Sequence, residues 1–260
     1  MLPRWIRFAI GTELARRGYV RAFRPYVIRT SVGGIDLQCW IADQTGREWY
    51  DSDKHDENPE NAETARLVRS GDRVLEVGAH HGFVSVLLSK MVSENGFVLA
   101  VEASPFNAMV AASQAGLNRL SNCHILHAAA SDRAGTVRIS RDSNSRVSDS
   151  ADSIEVQALT VDDLDTAYGP FNVLKIDVEG FEQKVLAGAR NMLARHPRIM
   201  LEIHTPVPAF GATIEGILAL IGSGYTGTMI PREPHDRILE FRREEVAAMG
   251  VVNLFLTWHE

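Results

Sequence analysis

Acids recur in this sequence where apolar runs end. Glu76 lies near the end of "RVLEVG" (73–78) and leads into "GAHHG", Glu102 comes near the end of "GFVLAVEA" (96–103), Asp177 and Glu179 follow "NVLKI", and Glu202 and His204 close "RIMLEIH" (198–204). A carboxylate beside a turn of bare backbone repels a pyrophosphate and welcomes an ammonium or sulfonium group. Gly78 and Gly82 are spaced GAHHG, not GxGxxG, so the loop favours S-adenosyl-L-methionine over NAD. Glu102, one strand later, is shaped to accept both hydroxyls of a ribose.

The remaining acids come as pairs two residues apart, Asp177 with Glu179 and Glu202 with His204, and strand periodicity turns both members of a pair the same way. Two mechanisms fit such a group. His204 can act as a general base held by a carboxylate, or Asp177, Glu202 and His204 can hold a divalent ion such as Mg²⁺ that acidifies a bound hydroxyl. Plainer roles stand beside these: Glu179 capping the next helix, and Glu202 in a buried pair with Lys175.

Positioning these groups is the work of the apolar runs. To the four above the sequence adds "CHILHAAA" (123–130), "YTGTMI" (225–230) and "VVNLFLTW" (251–258), and most are continuous in Val, Ile and Leu, as strands covered on both faces are. Helical patterns separate them: "FVSVLLSKMV", "PFNAMVAASQAGLN", "GFEQKVLAGARNMLARH" and "ATIEGILALIGSG". The βαβα order predicts an α/β fold with a largely parallel sheet, whose ligand lies beyond the carboxyl ends of the strands. After the third strand, "GTVRIS" and "IEVQALTVDDL" flank the Ser/Asp-rich segment 141–153, which reads as a β-hairpin excursion with a mobile tip.

Residues 1–58 differ in composition and read as a cap of an Arg-rich helix and a hairpin in "YVIRTSVGGIDLQCWIADQTGREWYD"; "ENAETARLV" restarts helix, and residues 59–260 form the main domain. The cap is expected to supply substrate contacts or the interface of a homodimer. Arg4, Arg7, Arg16, Arg17, Arg21 and Arg24 face one acid, Glu13, and read as the solvated face of the cap helix, with an anionic-substrate or membrane-surface role as the alternative.

A net charge of −6 and the lack of a basic sheet edge argue against nucleic acid as partner. No run approaches the roughly 18 apolar residues of a membrane span, and no secretory signal is visible, so a cytoplasmic location is expected. Cys39 and Cys123 have no CxxC spacing and read as buried, inert thiols.

In that order, "VLEVGAHHGFVSVLL", "AVEASPFNAMVAASQAGLN", "HAAASDRAGTVRI", "LTVDDL", "VLKIDVEGFEQKVLAGA" and "RIMLEIH" resemble the FkbM family of S-adenosylmethionine-dependent methyltransferases, with "KIDVEGFE" the most specific piece. The resemblance implies the class I methyltransferase fold, a Rossmann-like sheet of seven mostly parallel strands with helices on both faces, whose antiparallel last strand would be "VVNLFLTW". It assigns Glu76, Gly78, Ala79 and Gly82 to the methionine end of the cofactor, Glu102 to the ribose, Ser104 and Asn107 to its neighbourhood, and Ser131 and Asp132 to the adenine. Glu76 stands where the family usually has Asp, and His80 where it has Asn; His80 is expected to line the cofactor loop without chemistry. The resemblance implies a hydroxyl acceptor on a sugar, polyketide or related small molecule. A nicotinamide-dependent oxidoreductase and a non-catalytic cofactor-binding module are the alternatives.

Overall fold

A computed structural model describes residues 23–141, 146–148, 150, 153–204, 211–233 and 237–259. The Arg-rich segment up to Arg21, the tip of the excursion and His235 with Asp236 lie outside the described residues.

The described residues open with an antiparallel hairpin of β1 (Tyr26–Val32) and β2 (Ile35–Ile41), turned at Gly33 and Gly34, which both have positive φ. The rest of the stretch read as hairpin is helical. Asp43 accepts the Gly46 amide at 2.8 Å and starts α1 (Gln44–Tyr50), a cap that outweighs the mixed residues following it. A 3₁₀ turn (His55–Glu57) then leads into α2 (Pro59–Leu67), capped by Asn58 with Pro at its first position.

The seven expected strands form one sheet: β3 (Arg73–Val77), β4 (Phe97–Glu102), β5 (Cys123–His127), β9 (Val173–Ile176), β10 (Arg198–Ile203), β11 (Tyr225–Pro231) and β13 (Val252–Trp258). Their spatial order is β11-β13-β10-β9-β3-β4-β5, with β12 (Leu239–Glu240) a two-residue addition at the edge. Pairings among β10, β9, β3, β4 and β5 are parallel, and β13 runs antiparallel to both β10 and β11, which is the class I arrangement.

Strand alternation explains why helices cover both faces. Val74, Val98, Ala100 and Val173 pack with Leu67 of α2, with Leu88 and Val92 of α3 (Phe83–Val92) and with Ala115 of α4 (Pro105–Leu117). Their neighbours Leu75, Leu99, Val101 and Leu174 pack on the other side with α5 (Val161–Tyr168), α6 (Glu182–Ala187), α7 (Arg190–Leu193) and α8 (Ile214–Ile221). Each fully buried Leu or Val contributes about 1.5–3 kcal/mol, so a one-residue slip of any central strand would exchange two apolar layers. The hairpin is held on α3, where Val32, Leu37, Cys39 and Ile41 meet Phe83, Val86 and Leu87.

Three expected elements differ in detail. "CHILHAAA" is two strands, because Ala129–Ala130 (β6) leaves the main sheet to pair with β8 (Ile154–Leu159), itself antiparallel to β7 (Gly135–Ile139) in the expected excursion. The long helix after β9 is two short ones, α6 and α7, broken at Gly188, where a Cβ would lie 2.1 Å from the Ser131 carbonyl oxygen. "TVDDL" leaves the strand and starts α5 through a capping box of Thr160 and Asp163. Both thiols are buried, and burial raises Cys39 to about 11 and Cys123 to about 12, so neither is a thiolate at neutral pH.

Candidate active site

Two cavities meet beyond the carboxyl ends of β3, β4, β9 and β10. The first is a narrow slot beside Glu102, walled by Val101, Ala128, Ala129, Ile139, Val147 and Phe181. The second is a cleft of about 650 Å³, lined among others by Asp177, Glu202, His204, Lys175 and Arg232. Gly78, His80, Asp177, Glu179 and Trp49 line both.

The loop after β3 can take its path only with glycine at its first bend. Gly78 has φ +90°, and a Cβ there would sit 1.7 Å from the Asp177 carbonyl oxygen; its amide and that of Ala79 donate to the Val101 carbonyl at 2.9 and 3.2 Å. Two neighbouring strand ends are thereby pinned to the loop. Glu102 accepts from the amides of His80 at 2.7 Å and Ser104 at 2.8 Å. Burial raises its pKa to about 7, against the pull of those amides and of Asn107. Ser104 caps α4 by accepting the Asn107 amide; both residues are buried, and Asn107 lines the slot.

Glu76 is fully buried and does not stand as an open carboxylate. Its register partner on β9 is Lys175, whose ammonium lies 3.3 Å away, and Ser85 of α3 donates to its other oxygen. Burial disfavours the lysine's charge, but Glu76 and Asp177 more than offset this and raise its pKa. The expected Glu202–Lys175 pair is therefore corrected: in register, Lys175 faces Glu76, and Asp177 is its second acid at 4.0 Å.

Asp177, Glu202 and His204 each place one ligand atom within 4.8 Å of the others. Asp177 and Glu179 lie past the end of β9, where alternation no longer applies; Glu179 has φ +54° and reaches Arg146 of the excursion at 2.7 Å and His204 Nε2 at 3.6 Å. It does not cap the next helix. That helix takes its acid from Glu182, which is fully buried, accepts the Gly180 amide at 2.9 Å and holds His204 Nδ1 at 2.7 Å. The carboxylate that orients His204 is thus one the sequence reading missed; the only signal was its place three residues after Glu179 inside "EGFE". Burial opposes the charge of His204, but the hydrogen bond it donates to Glu182 and the fields of Glu202, Glu182 and Asp177 prevail and raise it to about 9. Glu202 is pushed up to about 8 by burial and by Asp177.

The cap also reaches the site. The Tyr50 hydroxyl of α1 shares a hydrogen bond of 2.8 Å with His80 Nδ1, the Trp49 ring lies 4.8 Å from the same imidazole, and a Cβ on Gly46 would be 2.9 Å from His81 Nδ1. His81 is fully buried with its pKa lowered by burial, and its Nε2 lies 3.8 Å from Asp43. Nothing in the spacing of "REWY" announced these contacts. Ser131 and Asp132, by contrast, are not brought to the slot. Asp132 binds Lys184 at 2.8 Å and lines a separate cavity beside β7, while Ala128 to Ala130 form the slot wall.

The model of the Methyltransferase FkbM domain matches residues 76–241, which is more than half of the chain. The chain belongs to the FkbM family of S-adenosylmethionine-dependent methyltransferases. Among solved structures, similarity extends to the FkbM methyltransferase of Methylobacillus flagellatus KT (18% identity, 62% of this chain, 45% of that one, TM-score 0.39). It extends also to a SAM-dependent methyltransferase of Aquifex aeolicus (14% identity, 83% of this chain, 98% of that one, TM-score 0.43). A precorrin-6y C5,15-methyltransferase of Geobacter metallireducens GS-15 is similar at 12% identity, over 76% of this chain and 86% of that one, with a TM-score of 0.46. The chain spans less than half the length of the Methylobacillus protein. No curated protein matches it.

Membership of the FkbM family decides against the nicotinamide alternative. The slot suits the family's cofactor: a largely apolar space with Glu102 at its side accommodates a nucleoside, and Gly78 removes the side chain that would block the loop. Among the described residues no helix of this FkbM protein is long and apolar enough to cross a membrane.

Proposed function

We propose that this FkbM methyltransferase transfers a methyl group to a hydroxyl oxygen of a small molecule or saccharide, in the cytoplasm. The observation that carries the reading is the junction of slot and cleft at Asp177, with Glu202 and His204 beside it. S-adenosylmethionine, when bound, supplies an electrophilic methyl on a sulfonium. Everything else falls to the chain: hold both partners in line and take up the hydroxyl proton.

In this reading Glu102 accepts the ribose hydroxyls, with Ser104 and Asn107 shaping its surroundings. Gly78, Ala79 and Gly82 present backbone to the methionine end, with His80 beside them, and Glu76 acts there through Lys175. Ser131 and Asp132 act at one remove, supporting the wall behind the adenine. Asp177 and Glu202 draw the acceptor hydroxyl toward the junction, and the neutral form of His204, oriented by Glu182 and flanked by Glu179, receives its proton, so methyl transfer should rise as pH climbs toward about 9. Self-association of the cap into a homodimer belongs to the same proposal and is read by light scattering.

The cofactor assignment is tested by calorimetry. S-adenosylmethionine and its demethylated product S-adenosylhomocysteine are expected to bind at micromolar level, with Glu102→Ala weakening both by about tenfold or more, since a carboxylate hydrogen-bonding to hydroxyls contributes about 1.5–3 kcal/mol. Glu102→Gln separates loss of the ribose contact from loss of the loop, because its amide oxygen can still accept one backbone amide. Absence of binding by the wild type sinks the reading.

The close approach of Asp177, Glu202 and His204 supports a second feature. Two carboxylates and an imidazole suit Mg²⁺ or Mn²⁺, which would polarise a bound hydroxyl. Dialysis against a strong chelator is expected to abolish methyl transfer and added Mg²⁺ to restore it. Full activity after chelation leaves the proton to His204 and Glu202 alone.

A further inference from the structure

Trp49, Tyr50, His55, Asn58, Glu60 and Asn61 line the cleft but fall outside the segment matched by the FkbM family model, 76–241. They form the side of the cleft contributed by α1, the 3₁₀ turn and α2. Within them His55 stands out. It is 8% exposed, lines the cleft, and its Nε2 is buried with no hydrogen-bond partner among the described residues. An imidazole nitrogen withdrawn from water without a partner is costly, and such groups are uncommon in native structures.

The turn that carries His55 is held on several sides. Its ring stacks on Phe83 at 4.8 Å, and its carbonyl accepts from Asn61 Nδ2 at 2.8 Å and from the Asn58 amide at 3.2 Å. Asp56, the next residue, accepts the Gly33 amide at 2.6 Å and ties the turn to the hairpin. Tyr50 also stacks on Phe83, at 5.1 Å, and all three rings line the cleft as an aromatic wall.

We propose that His55 is a specificity-determining residue for the acceptor: its Nε2 hydrogen-bonds a second hydroxyl of a polyhydroxylated ring packed against the Tyr50–Phe83 wall, while another hydroxyl of that ring is methylated at the junction. The proposal rests on the O-methyl transfer reading. It assigns selection to a residue outside the segment matched by the family model and chemistry to residues within it. A site built to hydrogen-bond a hydroxyl discriminates strongly against an analogue lacking it, because the buried partner then stays unpaired.

The test compares methyl transfer from labelled S-adenosylmethionine to methyl α-D-glucopyranoside, methyl α-D-mannopyranoside, methyl α-L-rhamnopyranoside and cyclohexanol, a ring of similar size with one hydroxyl. At least one pyranoside is expected to exceed cyclohexanol about tenfold or more in kcat/KM. His55→Phe, which keeps the stack and removes the nitrogen, is expected to raise the pyranoside KM about tenfold with kcat changed less than about threefold, and His55→Asn to recover most of the loss. A structural role alone would not produce that split or that rescue. The proposal is overturned if cyclohexanol serves as well as the pyranosides, if no pyranoside is methylated, or if His55→Phe leaves KM unchanged. Should His55→Phe fail to fold by circular dichroism, the wild-type comparison and His55→Gln decide in its place. Calorimetry with S-adenosylhomocysteine on the same preparations keeps the outcomes distinct: binding with no preference among acceptors overturns the role of His55, and no binding overturns the methyltransferase reading itself.

Discussion

Asp177→Asn is expected to lower kcat for methyl transfer to the best pyranoside by about 10²- to 10⁴-fold, the range of a positioned acid–base group, with affinity for S-adenosylhomocysteine changed less than about threefold. The exchange is nearly isosteric, and the neighbouring pair of Lys175 and Glu76 at 3.3 Å does not depend on it, so the loop at Gly78 keeps its support. What disappears is the charge where slot and cleft meet. An amide neither attracts the hydroxyl proton nor binds a cation as a carboxylate does, so both the proton-transfer and the metal version of the mechanism predict the loss. Mn²⁺ titration separates them: if a cation is held by Asp177, Glu202 and His204, the variant loses its binding together with its activity. A variant with wild-type kcat would remove Asp177 from the reaction.

The sheet was legible because its physics is local. Continuous runs of Val, Ile and Leu such as "VLEVG" and "FVLAV" can only be strands buried on both faces, and a parallel sheet puts the acids that end them at one edge. Which acids meet there is not local. The partner of Lys175 follows from the register of β3 against β9, and the burial of Glu182 from the arrival of His204 from the neighbouring strand, 22 residues further on. Helix α1 was equally hidden: "QTGREWY" has no apolar stripe, and its stability comes from the Asp43 cap and from contacts on His80 and His81 that exist only once the chain has folded. Ser131 and Asp132 show the converse, where a motif was read in line but the chain turned aside at β6, leaving Asp132 with Lys184.

Glu182 shows how much the site depends on what the sequence concealed. Glu182→Ala should destabilise the fold by about 3–5 kcal/mol in urea unfolding, the cost of removing one member of a buried ionic pair, since His204 and the Gly180 amide both lose their acceptor. Glu182→Gln, which retains an oxygen, should cost less. The pH dependence supplies the sharper readout. His204 rises from 6.5 to about 9 on folding and Glu202 from 4.5 to about 8, so between those limits the folded state binds more protons than the unfolded one. Their stabilisation is complete below the unfolded values and is lost as pH climbs through the folded values, so stability of the chelator-treated protein should fall from pH 6 to pH 9. Removing Glu182 takes away the hydrogen bond that does most to hold the proton on His204, and the decline should flatten. Scanning calorimetry of both proteins across that range measures it. A wild type that gains stability toward pH 9 would mean that Glu182 and His204 do not share a proton as their 2.7 Å contact implies.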